Sequence, residues 1–156
     1  MKKLLLAITV FILLCSPVFA DNFDDGVKAY EKGDHKTAYA KWKPLAEKGN
    51  ALAQYDLGSM YENGLGVTQD YKEAIKWYKL SAEQGNAEAQ YNIGVLHESG
   101  QGVTQDYKEA IKWYRLSAEQ KDAEAQYSLG VLYGKGQGVA QDYKSAMKWY
   151  KLSAEQ

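Results

Sequence analysis

Cysteine is almost missing from this 156-residue chain: the single thiol, Cys15, lies within the first twenty residues. Disulfides therefore cannot staple the remainder, which packing alone must hold. Basic residues are not in excess. Nineteen Lys and Arg face twenty Asp and Glu, for a net charge of −1, so the basic footprint of a nucleic-acid binder is lacking. Long apolar runs are lacking too, since the longest, residues 4–14, has eleven positions against the ~20 a membrane-spanning helix needs. Histidine is limited to His35, read as part of a short loop, and His97. Without cysteine or clustered carboxylates, the pair does not make a metal-ligand set. No segment shows sustained strand alternation bounded by turns.

What the amino terminus does have is an export signal. Met1-Lys2-Lys3 precedes the apolar run, and Val18-Phe19-Ala20 places small residues three and one before Asp21. This predicts a signal peptide over residues 1–20, cleaved after Ala20, and hence a periplasmic or secreted protein. Leu14 before Cys15 fits a lipidation motif poorly, with lipidation or an uncleaved anchor as the alternatives. Cleavage removes two lysines and no acid, leaving 17 − 20 = −3 for residues 21–156. That chain is mildly acidic and has no basic amphipathic helix for a membrane surface.

The body of the chain repeats itself. "GLGVTQDYKEAIKWY" at Gly64 returns as "GQGVTQDYKEAIKWY" at Gly100 and "GQGVAQDYKSAMKWY" at Gly136, a period of 36. Copies occupy residues 50–85, 86–121 and 122–156, and residues 21–49 read as an abbreviated unit with a five-residue loop deletion. Such a period marks a solenoid, in which each unit packs only on its neighbours. Each copy reads as two helices. The first follows an N-cap at Asn50, Asn86 or Asp122 and ends at a glycine. The second starts at Asp70 and runs to about Gln84, and Asp70 with Glu73 and Asp106 with Glu109 suggest capping boxes, lost where Ser145 replaces the glutamate. Gly49 and Gly85 suit a left-handed helix end, a position Lys121 fills at a cost of ~1 kcal/mol. On a helical wheel Tyr71, Ala74, Ile75, Trp77, Tyr78, Ser81 and Ala82 share one arc, with Lys72, Lys76, Lys79 and Glu83 opposite and Leu80 off the arc. Gly58 and Ala74 are small where the paired helices cross. The fold class expected is all-α.

The stretch "AQYDLGSMYENGLGVTQDYKEAIKWYKLSAEQG" resembles a Sel1-like repeat, a relative of the tetratricopeptide repeat with a longer loop between its helices. The matching positions are Ala53, Leu57, Gly58, Tyr61, Gly64, Gly66, Val67, Asp70, Ala74, Trp77, Tyr78 and Ala82, and they recur in the later copies except that His97 replaces the tyrosine. The resemblance implies an α/α superhelical solenoid of Sel1-like, tetratricopeptide-like helix pairs that binds proteins or peptides. Cysteine-rich relatives bridge each helix pair with a disulfide, and those cysteines are missing here. An enzyme acting on peptidoglycan or β-lactams, as associated with those relatives, is the alternative function.

Catalytic chemistry finds no support in the residues. The glycine-rich loops follow helices, whereas a nucleotide-binding loop needs a preceding strand. Ser81, Ser117 and Ser153 recur inside second helices as small packing residues. No catalytic residue, cofactor or metal is therefore expected. Variation points elsewhere: four of nineteen positions differ among the copies over 66–84, but ten of sixteen over 50–65. The varying first-helix stripe comprises Leu52, Asp56, Ser59 and Asn63, then Glu88, Asn92, Val95 and Ser99, then Glu124, Ser128, Val131 and Lys135. With Tyr55, Tyr91 and Tyr127, this stripe is the expected partner-binding surface. By the resemblance, first helices line a concave groove, so the stripe's members should be replaceable at a cost within ~0.5 kcal/mol. The carboxyl-terminal unit, expected to be the weakest, could also support end-to-end self-association.

Overall fold

The structure, a computed structural model, describes the backbone of residues 17–156 and side chains from residue 22. The expected signal sequence and Cys15 lie almost wholly outside these residues. Among the described residues eight α-helices follow one another: α1 (Pro17–Glu31), α2 (His35–Glu47), α3 (Ala51–Asn63), α4 (Tyr71–Ala82), α5 (Ala87–Ser99), α6 (Tyr107–Glu119), α7 (Ala123–Lys135) and α8 (Tyr143–Ala154). No strand occurs among the described residues. The substantial packing joins consecutive helices, the nearest-neighbour arrangement of a solenoid. His35 opens α2 rather than sitting in a loop. Its ring packs edge-on against Tyr30, with centroids 4.8 Å apart.

The helix ends follow from the caps. Asn50, Asn86 and Asp122 each accept a hydrogen bond from the backbone N–H three residues on, at 2.7–2.9 Å. Gly64, Gly100 and Gly136 close the first helices in the left-handed conformation. Asp70, Asp106 and Asp142 each accept two backbone N–H groups at the start of the second helices. The capping boxes are only half formed, which corrects the sequence reading. The Asp70 N–H donates instead to the Tyr61 carbonyl at 2.9 Å, freeing Glu73 to pair with Lys76. Ser145 therefore forfeits nothing as a cap, and its Oγ donates to Asp142 at 2.6 Å. Lys121, at φ 70°, is the one non-glycine residue with positive φ among the described residues.

Inside each pair, a glycine lets one aromatic ring lie against the partner backbone. A Cβ at Gly58 would stand 2.5 Å from the Tyr78 ring, and the contact recurs between Gly94 and Tyr114 and between Gly130 and Tyr150. Gly26 meets Trp42 in the same way. Matching Gly26 to Gly58 gives an offset of 32, and Asp34 to Asp70 an offset of 36. The first unit's loop is thus four residues shorter, not five. The wheel holds: Ala74, Ile75, Tyr78, Ser81 and Ala82 are buried, Tyr71 and Trp77 half-buried, and Lys72, Lys76, Lys79 and Glu83 exposed. Leu80 is largely at the surface.

Between pairs, buried glutamines hold the stack together. Gln54, Gln90 and Gln126 donate to the carbonyls of Ala46, Ala82 and Ala118 at 3.0–3.2 Å. Gln84 and Gln120 in turn donate to the side-chain oxygens of Gln54 and Gln90 at 2.7–2.8 Å. Ser81 and Ser153 donate back to the opening carbonyl of their own unit, so their hydroxyls do more than fill space. A buried amide without such partners would cost about 1–3 kcal/mol.

Candidate functional site

The first helices present the variable stripe as a run of clefts. One of about 530 Å³ opens between α1, α2, α3 and α5, where Leu52, Tyr55, Asp56, Ser59 and Glu88 meet Trp42 and four residues of α1. A smaller one, about 200 Å³, is bounded by Tyr91, Glu124, Tyr127 and Ser128. A third, about 640 Å³, lies at the carboxyl-terminal end with Tyr127, Val131 and Lys135 on one wall and Tyr143 and Met147 on the other. Eleven of the fifteen expected residues thus line these three clefts. Asn63, Asn92, Val95 and Ser99 do not.

Each of those four is occupied otherwise. The Asn63 amide folds back to the Ser59 carbonyl at 2.9 Å, and Ser99 bonds to Leu96 and Gln101. Val95 packs against the core of the α6–α7 junction. Asn92 lies within hydrogen-bonding reach of the Tyr55 and Tyr78 hydroxyls, and Ser128 of Tyr91 and Tyr114. Asn92, Val95 and Ser128 are half-buried. Their replacement is therefore not the near-neutral change expected of a solvated stripe, because each removes a contact between units. The freely exposed members are Leu52, Asn63, Glu88, Ser99, Glu124, Tyr127 and Lys135.

The electrostatics are uneven along the face. Asp56 is half-buried, and no hydrogen bond or ion pair to it is seen among the described residues. Burial, with the Glu88 carboxylate second, pushes its pKa up to about 7. Burial also carries the Tyr55 hydroxyl up to about 12. Tyr78 and Tyr114 are raised further by burial and by donating at 2.6 Å to Glu62 and Glu98. The third unit has Gly134 in place of that glutamate, so Tyr150 lacks the bond. His97 sits half-buried on α5, where desolvation lowers its pKa. It and His35 belong to different units. No group of three or more His, Cys, Asp or Glu among the described residues is placed to hold a metal ion.

Sequence reasoning missed two things here. The glutamines were invariant and so escaped a search for variation, although invariance of a polar residue on a buried face was itself the signal. The tyrosine-hydroxyl partners of Asn92 and Ser128 had no sequence signal, because they join residues brought together only by stacking.

Paired helices locked by glycine–aromatic contacts, stacked through buried glutamines and varied along one face, define an α/α solenoid of the repeat-protein class. The chain belongs to the Sel1 repeat family, which matches residues 51–86, 87–122 and 123–156. Members of this family commonly mediate protein–protein interaction and are typically non-catalytic scaffolds. Among solved structures, a protective antigen present in uropathogenic Escherichia coli strains, displaying an SLR fold, is 40% identical with a TM-score of 0.84. The alignment covers 88% of this chain and 30% of that one. A Sel1 repeat protein from Oxalobacter formigenes is 37% identical, with a TM-score of 0.81, over 85% of this chain and 55% of that one. A curated relative, an exopolysaccharide production negative regulator of Rhizobium leguminosarum bv. viciae, is 42% identical over 50 residues. That match spans 32% of this chain and 19% of the regulator. The chain thus covers well under two thirds of each of these relatives.

Proposed function

We propose that this chain is an exported, non-catalytic binding module that takes a protein or peptide partner along the face of its first helices. The observation that carries this reading is the coincidence of variation with clefts. Most positions of the first-helix stripe that differ among otherwise near-identical repeats line three consecutive openings walled by Tyr55, Tyr91 and Tyr127. Tyrosine suits such a surface, because it offers a large rigid contact and one polar atom at small entropic cost. The second-helix lysines face away. Export rests on the amino-terminal sequence pattern and agrees with a relative described as a protective antigen. End-to-end self-association is a further part of the proposal, supported by Tyr143 and Met147 on α8, 68% and 67% exposed.

The test compares two triple variants in capture of partners from cell-envelope extracts and culture fluid. Leu52→Ala, Glu88→Lys and Glu124→Lys alter exposed first-helix residues. Lys72→Glu, Lys108→Glu and Lys144→Glu alter the opposite face. At matched melting temperatures the first set should abolish capture and the second leave it nearly intact. The reverse pattern places the site on the second helices. Self-association is checked by sedimentation of the wild type against Met147→Lys, which should be the more dissociated.

A further inference from the structure

The cleft at the junction of the first two units differs from the other junctions in one respect, and the difference leaves an acceptor without a donor. Each full repeat has an aromatic pair, Tyr55 with Tyr78, Tyr91 with Tyr114 and Tyr127 with Tyr150, their centroids 5.5–5.7 Å apart, and the first two lie under the next unit. Hydroxyls of the first two pairs reach the polar residue of the following first helix, Asn92 or Ser128. One unit earlier the pair is Phe23 and Trp42, 5.9 Å apart. Phe23 has no hydroxyl, and the Trp42 indole donates its N–H to the Phe23 carbonyl at 3.2 Å. The residue that follows is Asp56, an ionisable acceptor in place of Asn92 and Ser128. The two tyrosine hydroxyls that this position meets in the later units are gone, and a cleft of about 530 Å³ opens beside it.

The charge around this cleft is of one sign. Glu31 enters from α1, Asp56 from α3 and Glu88 from α5, while α2 contributes only Trp42, and no cation lines it. Phe23, Tyr30 and Tyr55 add aromatic walls, beside Val27, Leu52 and Ser59. An apolar ligand would leave Asp56 buried and unpaired, which costs more than a lost hydrogen bond. An anion would meet three carboxylates. A flat cation with several donors satisfies every wall at once: its edges serve the carboxylates and its faces lie on the rings. The volume falls within the ~300–1,000 Å³ usual for small-ligand pockets, ample for one long side chain.

We propose that this cleft receives an arginine side chain presented by a peptide partner, its guanidinium placed between the Asp56 and Glu88 carboxylates and against the Tyr30 and Tyr55 rings. The assignment rests on the first-helix face being the binding face, and it names the partner chemistry that the first junction selects. Binding is linked to proton release from Asp56. Its carboxyl, raised by burial and by Glu88, ionises more readily beside a guanidinium, so affinity rises with pH between about pH 5.5 and 8.

The experiment titrates the isotope-labelled full chain with acetyl-Gly-Gly-Arg-Gly-Gly-amide and with the same peptide carrying citrulline, which keeps the shape and loses the charge. The arginine peptide should shift the amide resonances of Tyr30, Tyr55 and Glu88, and the citrulline peptide should bind roughly tenfold more weakly or less. Asp56→Asn, matched in melting temperature, should lose about the same factor, and the Asp56 carboxyl resonance should titrate lower in the saturated complex. Equal shifts along the first helices from both peptides would refute the arginine assignment while leaving the binding face in place. Shifts confined to α4, α6 and α8 would overturn both. An absence of shifts at about 10 mM peptide, weaker than any useful recognition, overturns the arginine site alone.

Discussion

Replacing Gly134 by glutamate should stabilise the third repeat, because the structure shows what that position lacks. In the two preceding repeats the equivalent residues, Glu62 and Glu98, accept a 2.6 Å hydrogen bond from Tyr78 and Tyr114. A Cβ at Gly134 would lie 3.6 Å from the Ala146 Cβ and 3.9 Å from the Tyr150 hydroxyl, so the side chain fits without displacing a neighbour. Removing a glycine near a helix end gains about 0.5 kcal/mol. A hydrogen bond to a charged group gains ~1.5–3 kcal/mol when buried, and about 1 kcal/mol at a half-exposed tyrosine. A carboxylate in the last turn opposes the helix dipole by about 0.3 kcal/mol. The net is about 1.2 kcal/mol, or roughly 4 °C in melting temperature for a chain of this size. Thermal and urea unfolding of Gly134→Glu, Gly134→Ala, Tyr150→Phe and the glutamate–phenylalanine double variant form the assay. Alanine should recover only about 0.5 kcal/mol, and the double-mutant cycle should give a coupling of about 1 kcal/mol. A coupling below about 0.3 kcal/mol, or alanine matching glutamate, refutes the transfer of the tyrosine–carboxylate contact to this unit.

Further outcomes follow from the same contacts. Gln90→Leu should cost about 2 kcal/mol in urea unfolding, because it leaves the Ala82 carbonyl and the Gln120 amide without their partner. Lys121→Gly relieves left-handed strain of ~1–2 kcal/mol but adds chain entropy, for a net gain of about 0.5 kcal/mol, where a loss would mean that the lysine makes a contact of its own. Asp56 makes stability depend on pH in a direction opposite to most carboxylates. Its folded pKa, about 7, lies above the unfolded value, so the folded state holds the extra proton and stability falls as pH rises from about 4 to about 7. Asp56→Asn should flatten that slope, and a wild-type profile that rises through this window refutes the desolvated-carboxylate description.

Much of the fold was legible in the chain itself. A period of 36, N-caps at Asn50, Asn86 and Asp122, left-handed stops at Gly64 and Gly85, and an apolar arc through Ala74 and Tyr78 are local features. Caps and stops act within about one helical turn, and the period and the arc are regular spacings along the chain, so the sequence order displays them directly. The strain at Lys121 was legible for the same reason. The capping boxes were misread because the Asp70 amide finds the Tyr61 carbonyl, a partner nine residues back that only the closed loop delivers.

The binding face was readable as a stripe but not as a set of roles. Variation marked Asp56, Asn92 and Ser128 alike, since they occupy one register position. Stacking separates them: Asn92 and Ser128 each lie within reach of two tyrosine hydroxyls, whereas Asp56 shares its cleft with Phe23 and Trp42, which offer none. That distinction depends on what the preceding unit places beside each copy, a proximity in space that no spacing along the chain encodes. The periodic sequence therefore determined the helix pair and its repetition by itself. Only the tertiary structure decided which copies of a position are internal struts and which one is left open, because burial and hydrogen-bond partners are set by the neighbour rather than by the repeat.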